Sequence, residues 1–108
     1  MSFSIIPTPA FEKDLKQLAK KYHSIKKDIT TLTTKLLAEP TMGTPLGNDC
    51  YKIRMGISSK GKGKSGGARV ITYVKIIETS IFLLSIYDKA DAANISDKEL
   101  KERLRGLR

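Results

Sequence analysis

The sequence predicts an α+β fold: a small, mostly antiparallel β-sheet with an N-terminal helical hairpin packed on one face, in the order β-α-α-β-β-β-α. Three observations lead there. Apolar side chains recur at helical spacing between Phe11 and Leu37. Apolar and polar side chains alternate with a two-residue period from Tyr51 to Lys89. Short connections join those alternating runs, which suits an antiparallel meander.

Each element has its own signals. Phe3 to Ile6 is short and apolar, and Pro7 closes it, so it reads as a first strand. Thr8-Pro9 reads as an N-cap followed by proline at the first helical position, where its missing N–H costs nothing. Phe11, Leu15, Leu18, Ala19 and Tyr22 carry a first helix to about Tyr22. Ser24 can cap a second helix bearing Ile25, Ile29, Leu32, Leu36 and Leu37, which Pro40 ends. With only His23 and Ser24 between them, the two helices should form a tight antiparallel hairpin. Tyr51, Ile53 and Met55 mark a second strand. Val70, Thr72, Val74 and Ile76 mark a third, and Phe82, Leu84 and Ile86 a fourth. Ser96-Asp97-Lys98-Glu99 is a capping box opening a terminal helix with Leu100 and Leu104 on one face.

The chain of 108 residues is expected to be a single domain, residues 1–108, with one modest core. Its 40% apolar and 29% charged residues are those of a globular protein. The longest strongly apolar run, Ser80 to Tyr87, is far too short for a membrane span. The N-terminal residues lack the pattern of a signal peptide. Cys50 is the single cysteine and cannot form an internal disulfide. These points make a cytoplasmic location the expectation.

Charge is unevenly distributed. Of the net +9, residues 51–75 hold seven Lys or Arg and no Asp or Glu, while the flanking segments are nearly balanced. Such a concentration attracts a polyanion. It contains no amphipathic helix, so nucleic acid is the expected partner, with an acidic protein as the alternative and a membrane surface less favoured. If the apolar strand positions pack on the helical hairpin, the opposite sheet face carries Lys52, Arg54, Arg69, Tyr73, Ser85, Tyr87 and Lys89. That gives a cationic face with tyrosines for stacking. A merely solvated sheet face is the alternative.

The segment Ser59 to Gly67, SKGKGKSGG, reads as a flexible loop whose Lys60, Lys62 and Lys64 could close on phosphates. It is not a phosphate-binding P-loop, because its first glycine is misplaced and a strand follows where a helix should. A simple hairpin tip is the alternative. His23 is the single histidine, so no pair of histidines within this chain can share acid–base work. Cys50 has no partner at metal-ligand spacing, and no carboxylate cluster suits two-metal chemistry. Neither metal nor cofactor is therefore expected. Asp88 and Asp91, flanking Lys89, are expected to pair ions or form turns.

Several stretches together resemble the RelE/HigB branch of the RelE/ParE toxins. They are Leu15 to Tyr22 (LKQLAKKY), the helix of Asp28, Glu39-Pro40 with Gly43, Tyr51 to Arg54 (YKIR), Gly63 to Ile71 (GKSGGARVI) and Leu84 to Lys89 (LSIYDK). The resemblance covers roughly residues 10–105 in order. It implies a small antiparallel sheet with a helical hairpin on one face, and the toxin of a bacterial type II toxin–antitoxin system. It further implies a ribosome-dependent endoribonuclease that cuts mRNA in the ribosomal A site, neutralised by a cognate antitoxin protein. Lys52 and Arg54 match the basic pair of the second strand, Arg69 the arginine after the loop, and Lys89 a basic residue after the last strand. In that chemistry a ribose 2′-hydroxyl attacks the neighbouring phosphate. Arginines stabilise the growing charge, a lysine among cations takes the 2′ proton, and Tyr87 stacks on a base or donates a proton. Some RelE toxins carry a functional tyrosine in the C-terminal helix, and this chain has none there. Its long glycine-lysine loop resembles a HigB-like subgroup. A ParE-like gyrase inhibitor and a non-catalytic RNA-binding module are the other functions open to this fold.

Overall fold

The computed structural model describes residues 2–107. Strand β1 (Ser4–Pro7) leads into helices α1 (Pro9–Lys21) and α2 (Ile25–Ala38). Strands β2 (Thr44–Gly47), β3 (Cys50–Met55), β4 (Ala68–Lys75) and β5 (Ser80–Asp88) follow, then helix α3 (Asp97–Leu104). The five strands form one sheet in the order β1-β5-β4-β3-β2, antiparallel except where β1 runs parallel to β5.

The helix starts follow from their caps. The Thr8 hydroxyl accepts the Phe11 N–H at 3.2 Å and donates to the Leu83 carbonyl at 2.9 Å, so one side chain both opens α1 and ties it to β5. The Ser96 hydroxyl accepts the Glu99 N–H at 3.1 Å and opens α3 as the capping box predicts. Ser24 precedes α2, but its hydroxyl serves Asp28 and Ser59 instead of the helix N–H groups.

One strand more than the expected order is present. Strand β2 pairs antiparallel with β3. Its four residues include Pro45 and Gly47, which sequence reading treats as strand breakers. Proline is tolerated here because β2 is an edge strand and needs no second ladder. Asn48 and Asp49, both at positive φ (55° and 61°), make the two-residue turn into β3. Short polar side chains accept that conformation at low cost.

The sheet is buried on both faces. On one side Phe11, Ile25, Ile29, Leu32 and Leu36 of the helical hairpin meet Ile53, Val70, Val74, Ile81, Leu83 and Ile86. On the other, Leu100 and Leu104 of α3 cover Cys50, Ile71, Tyr73 and Leu84. Two expectations about the sheet faces are corrected here. The face away from the hairpin is not an open cationic surface, because α3 and its own small core occupy half of it. The inward residues of β5 also change phase along the strand. Phe82 and Leu84 turn to the α3 side while Ile81 and Leu83 meet the hairpin. A bulge causes this: Ile71 opposes Ser85 and Thr72 opposes Leu83, so Leu84 is an extra residue. Ile76, expected inward, lies past the end of β4 and is 53% exposed at the β4–β5 turn. Among the described residues no helix is long and apolar enough to cross a membrane.

Where β3 leaves the sheet and β4 enters it, the chain passes close to itself. A Cβ at Gly67 would sit 2.2 Å from the Met55 carbonyl oxygen and 2.9 Å from Gly56 Cα. Gly67→Ala should therefore prise the base of the loop open and cost about 1–3 kcal/mol, as overpacking does. Denaturant unfolding checks this, and a variant as stable as the parent would contradict the close approach.

Candidate nucleic-acid site

The site grows from the pairing of three strands. Arg54 of β3 lies opposite Arg69 of β4, and Arg69 lies opposite Tyr87 of β5. One row further along, Lys52 opposes Ile71, which opposes Ser85. The structure thus brings Lys52, Arg54, Arg69 and Tyr87 onto one patch of sheet, beside the end covered by α3. Two arginines directly opposite each other repel, which weakens a sheet. Among the described residues neither forms an ion pair.

The two arginines differ in environment. Arg54 is exposed. It lines a cleft of about 190 Å³ with Lys64, Lys35, Asp28 and Ser58. Arg69 is only 5% exposed, which corrects the expectation that it stands free on the sheet. Its guanidinium donates to the carbonyls of Lys64 at 2.9 Å, Ala68 at 3.1 Å and Ser65 at 3.3 Å. These bonds occupy three of its five N–H donors and leave the charge unneutralised, so Arg69 both shapes the loop and makes its base electropositive.

That loop, expected to be flexible, is pinned to α2 at its start. Residues Ser58–Lys60 form a 3₁₀ turn. Asp28 of α2 accepts from the Ser58 N–H at 3.0 Å and from the Ser58 hydroxyl, and Ser24 accepts the Ser59 N–H at 2.8 Å. Desolvation pushes the Asp28 carboxyl up, but these bonds outweigh it and hold the group below its ordinary value. Lys60 turns inward. Its ammonium binds Asp88 at 2.8 Å and lies 5.6 Å from the centre of the Tyr22 ring. Lys60 is therefore an anchor, not the phosphate-binding side chain expected. Lys62 and Lys64 remain exposed.

Asp88 is the centre of this anchorage. Its carboxylate is 1% exposed and accepts from Lys60, from the Tyr22 hydroxyl, and from the Ala90 N–H at 2.9 Å. Burial pushes this carboxyl up. The donors, led by Lys60 and Tyr22, overcome that and bring it down to about 2. The ion pair and turn expected of Asp88 are both present.

The connection from β5 to α3 folds over the sheet. Asn94 accepts from the Lys52 ammonium at 2.7 Å. The Tyr87 hydroxyl is buried beside the Ile95 backbone without a well-formed hydrogen bond. Burial pushes its phenol above the ordinary range, against the nearby Ile95 backbone and Arg69 charge. Lys89 is exposed at the start of this connection, and its N–H donates to the Gly67 carbonyl at 3.0 Å. Tyr73 is elsewhere. It is 6% exposed, stacked on Phe82 at 5.8 Å beneath α3, and offers no ring to a base. Its inclusion among the RNA-binding residues is corrected on that ground.

Sequence reading missed Lys35, which reaches the cleft from α2, and the supports Tyr22, Asp28 and Asn94. Tyr22 and Asp28 lie in stretches singled out for their family pattern, yet nothing local in them marks a contact across 30 or more residues. Among the described residues, no group of three His, Cys, Asp or Glu is placed to hold a metal ion.

Comparison with known proteins agrees with the fold. The family described as the RelE toxin of the RelE/RelB toxin–antitoxin system matches residues 10–105. The free E. coli RelE toxin, in a doubly substituted form, is similar over 100% of both chains at 17% identity and a TM-score of 0.63. A chain of the intact E. coli RelBE toxin–antitoxin complex is similar at 18% identity and a TM-score of 0.60, covering 82% of this chain and 96% of that one. A RelBE2 toxin–antitoxin complex from Mycobacterium tuberculosis gives 16% identity and a TM-score of 0.62, covering 82% and 99%.

The Asp88 anchorage makes a pH prediction. A carboxyl whose folded value lies below its unfolded value adds stability above the unfolded value and loses it as pH falls through the folded one. Stability should therefore drop between pH 3.8 and about 2 as Asp88 gains its proton. Asp88→Asn should be less stable at neutral pH and should show a smaller drop across that window. Parallel pH profiles of the two proteins would contradict the assignment.

Proposed function

The chain belongs to the RelE toxin family, and on that premise we propose that it is an endoribonuclease that cuts mRNA on the ribosome without a metal ion, held in check by a cognate antitoxin. One observation supports the chemistry above the others. The unneutralised, cross-strand pair Arg54 and Arg69 is a costly arrangement that a bound phosphate would relieve.

The roles follow from the placements. The scissile phosphate sits over Arg54, with Lys64 and Lys35 on its far side. The 2′-oxygen attacks phosphorus, the 5′-oxygen leaves, and negative charge builds on the phosphoryl oxygens. Arg54 meets that charge directly. Arg69 adds its field from below and holds the loop carbonyls that aim Lys64. Lys52, one row along from Arg54, takes the 2′ proton as the free amine, after it has left Asn94 and given a proton to solvent. Tyr87 faces the leaving oxygen or a base once Ile95 moves aside. Lys62 and Lys89, exposed at the rim, hold flanking phosphates and give binding its salt dependence. The antitoxin, by the same electrostatics, would lay carboxylates over the Arg54 cleft and compete with RNA. The RelBE complexes among the similar structures support a protein partner of this kind.

Expression of the chain alone in a bacterium should stop translation and leave mRNA cut within coding regions. Growth arrest with intact mRNA and DNA breaks at gyrase would contradict this and favour a ParE-like activity. Arg54→Ala should slow cleavage by about 10²–10³-fold, the effect of losing one transition-state charge stabiliser. Its stability should be kept or slightly raised, because Arg54 is exposed and its removal relieves the repulsion with Arg69. Arg69→Ala should lose both cleavage and stability, because it frees the loop carbonyls. Full cleavage by a folded Arg54→Ala protein would show that the phosphate lies elsewhere.

A further inference from the structure

Strand β5 has an edge problem that two distant side chains solve. Strand β1 pairs with it only as far as Leu83. The bulge at Leu84 begins there, so its backbone groups face outward with no neighbouring strand. Such groups need other partners when they are not in water. The Leu84 carbonyl accepts from Arg103 Nη1 at 2.8 Å. Asp14 Oδ2 accepts from the Ile86 N–H at 3.3 Å and from the Ser85 hydroxyl at 3.4 Å. Arg103 and Asp14 are themselves joined at 2.7 Å, and Glu99 steadies Arg103 at 3.1 Å. Asp14 comes from α1 on one face of the sheet and Arg103 from α3 on the other. They meet around its edge.

The bulge decides where the next residues point. In a strand, one extra residue exchanges the two faces for everything beyond it. With the bulge, Tyr87 lies on the face of Arg69 and Asp88 lies on the face of Tyr22 and Lys60. Without it the two would trade places. Tyr87 would leave the arginine row, and Asp88 would release the loop that carries Lys64.

We propose that Asp14 and Arg103 are positioning residues: by clamping the Leu84 bulge they aim Tyr87 at the Arg54–Arg69 row and Asp88 at Lys60. The inference rests on reading that row as the site of RNA cleavage, but its geometric part can be measured without RNA. The clamp is separable from the fold, because Leu100 and Leu104 still dock α3 through their own core.

The test compares Asp14→Ala, Arg103→Gln and the conservative Arg103→Lys with the parent protein. Tyrosine-labelled NMR, with Tyr87→Phe to assign the signal, reports the Tyr87 ring and its phenol ionisation. Hydrogen exchange of the Ile86 amide reports the bulge. In Asp14→Ala and Arg103→Gln the Ile86 amide should exchange faster, the Tyr87 signal should move, and its phenol should ionise nearer the ordinary tyrosine range. On ribosomes kcat should fall by about 10²-fold, as misplacement by an ångström can do, with KM little changed. Arg103→Lys should recover part of each effect. If Asp14→Ala does not fold, the Arg103 pair decides the matter. A folded variant with Tyr87 and Ile86 signals like those of the parent would overturn the proposal. So would a displaced Tyr87 with undiminished kcat. Displaced signals in a protein whose parent form cuts no RNA would uphold the clamp and remove the ribonuclease reading instead.

Discussion

A carboxylate taken out of water must find donors or lose its charge, and the fold around Asp88 is arranged by that demand. Its three donors come from three parts of the chain: Tyr22 at the end of α1, Lys60 from the loop, and the Ala90 N–H just past β5. Satisfying one buried group thus fixes the angle of the helical hairpin, the path of the basic loop and the exit from the sheet. Lys60 is withdrawn from the surface in the process. Lys62 is left facing outward, and Lys64 and Arg54 line a cleft whose one carboxylate, Asp28, accepts from Ser24 and Ser58. The site is electropositive because Lys35, Arg54 and Lys64 outnumber its one carboxylate, and Asp88 is paired with Lys60.

The same accounting applies to the helical hairpin. By formal charge residues 1–50 are close to balanced. In the folded chain Asp14 is paired with Arg103, so it offsets that arginine and not the exposed lysines of α1 and α2. Among the described residues none of those lysines forms an ion pair. The surface field is therefore broader than the acid-free stretch from Tyr51 to Lys75 suggests, which suits a partner as large as a structured polyanion.

Much of the fold was legible because it rests on local signals. Thr8-Pro9, the helical spacing from Phe11, the capping box at Ser96 and the alternation in β3 and β4 each act within a few residues. What was not legible depends on long-range pairing. Strand β2 carries Pro45 and Gly47 and exists because β3 offers it an edge. The phase of β5 changes at Leu84 through a bulge that no alternation rule foresees, since the apolar residues on both sides of it suit either face. Of the site, the row of Lys52, Arg54 and Arg69 follows from alternation alone, whereas Tyr87 joins it through the bulge at Leu84. The burial of Arg69 and Tyr73, and the capture of Lys60, do not. They follow from the loop folding onto Arg69, from α3 covering Tyr73, and from a carboxylate 28 residues from Lys60 in sequence.

In the proposed reaction, cationic side chains on the sheet, with no metal, drive attack by the ribose 2′-hydroxyl. The RNA ends left by the purified protein on programmed ribosomes distinguish this chemistry from hydrolysis. A 5′-hydroxyl is expected on one fragment and a 2′,3′-cyclic phosphate, or its opened form, on the other. Fragments bearing a 5′-phosphate and a free 3′-hydroxyl, the mark of attack by an activated water, would contradict it.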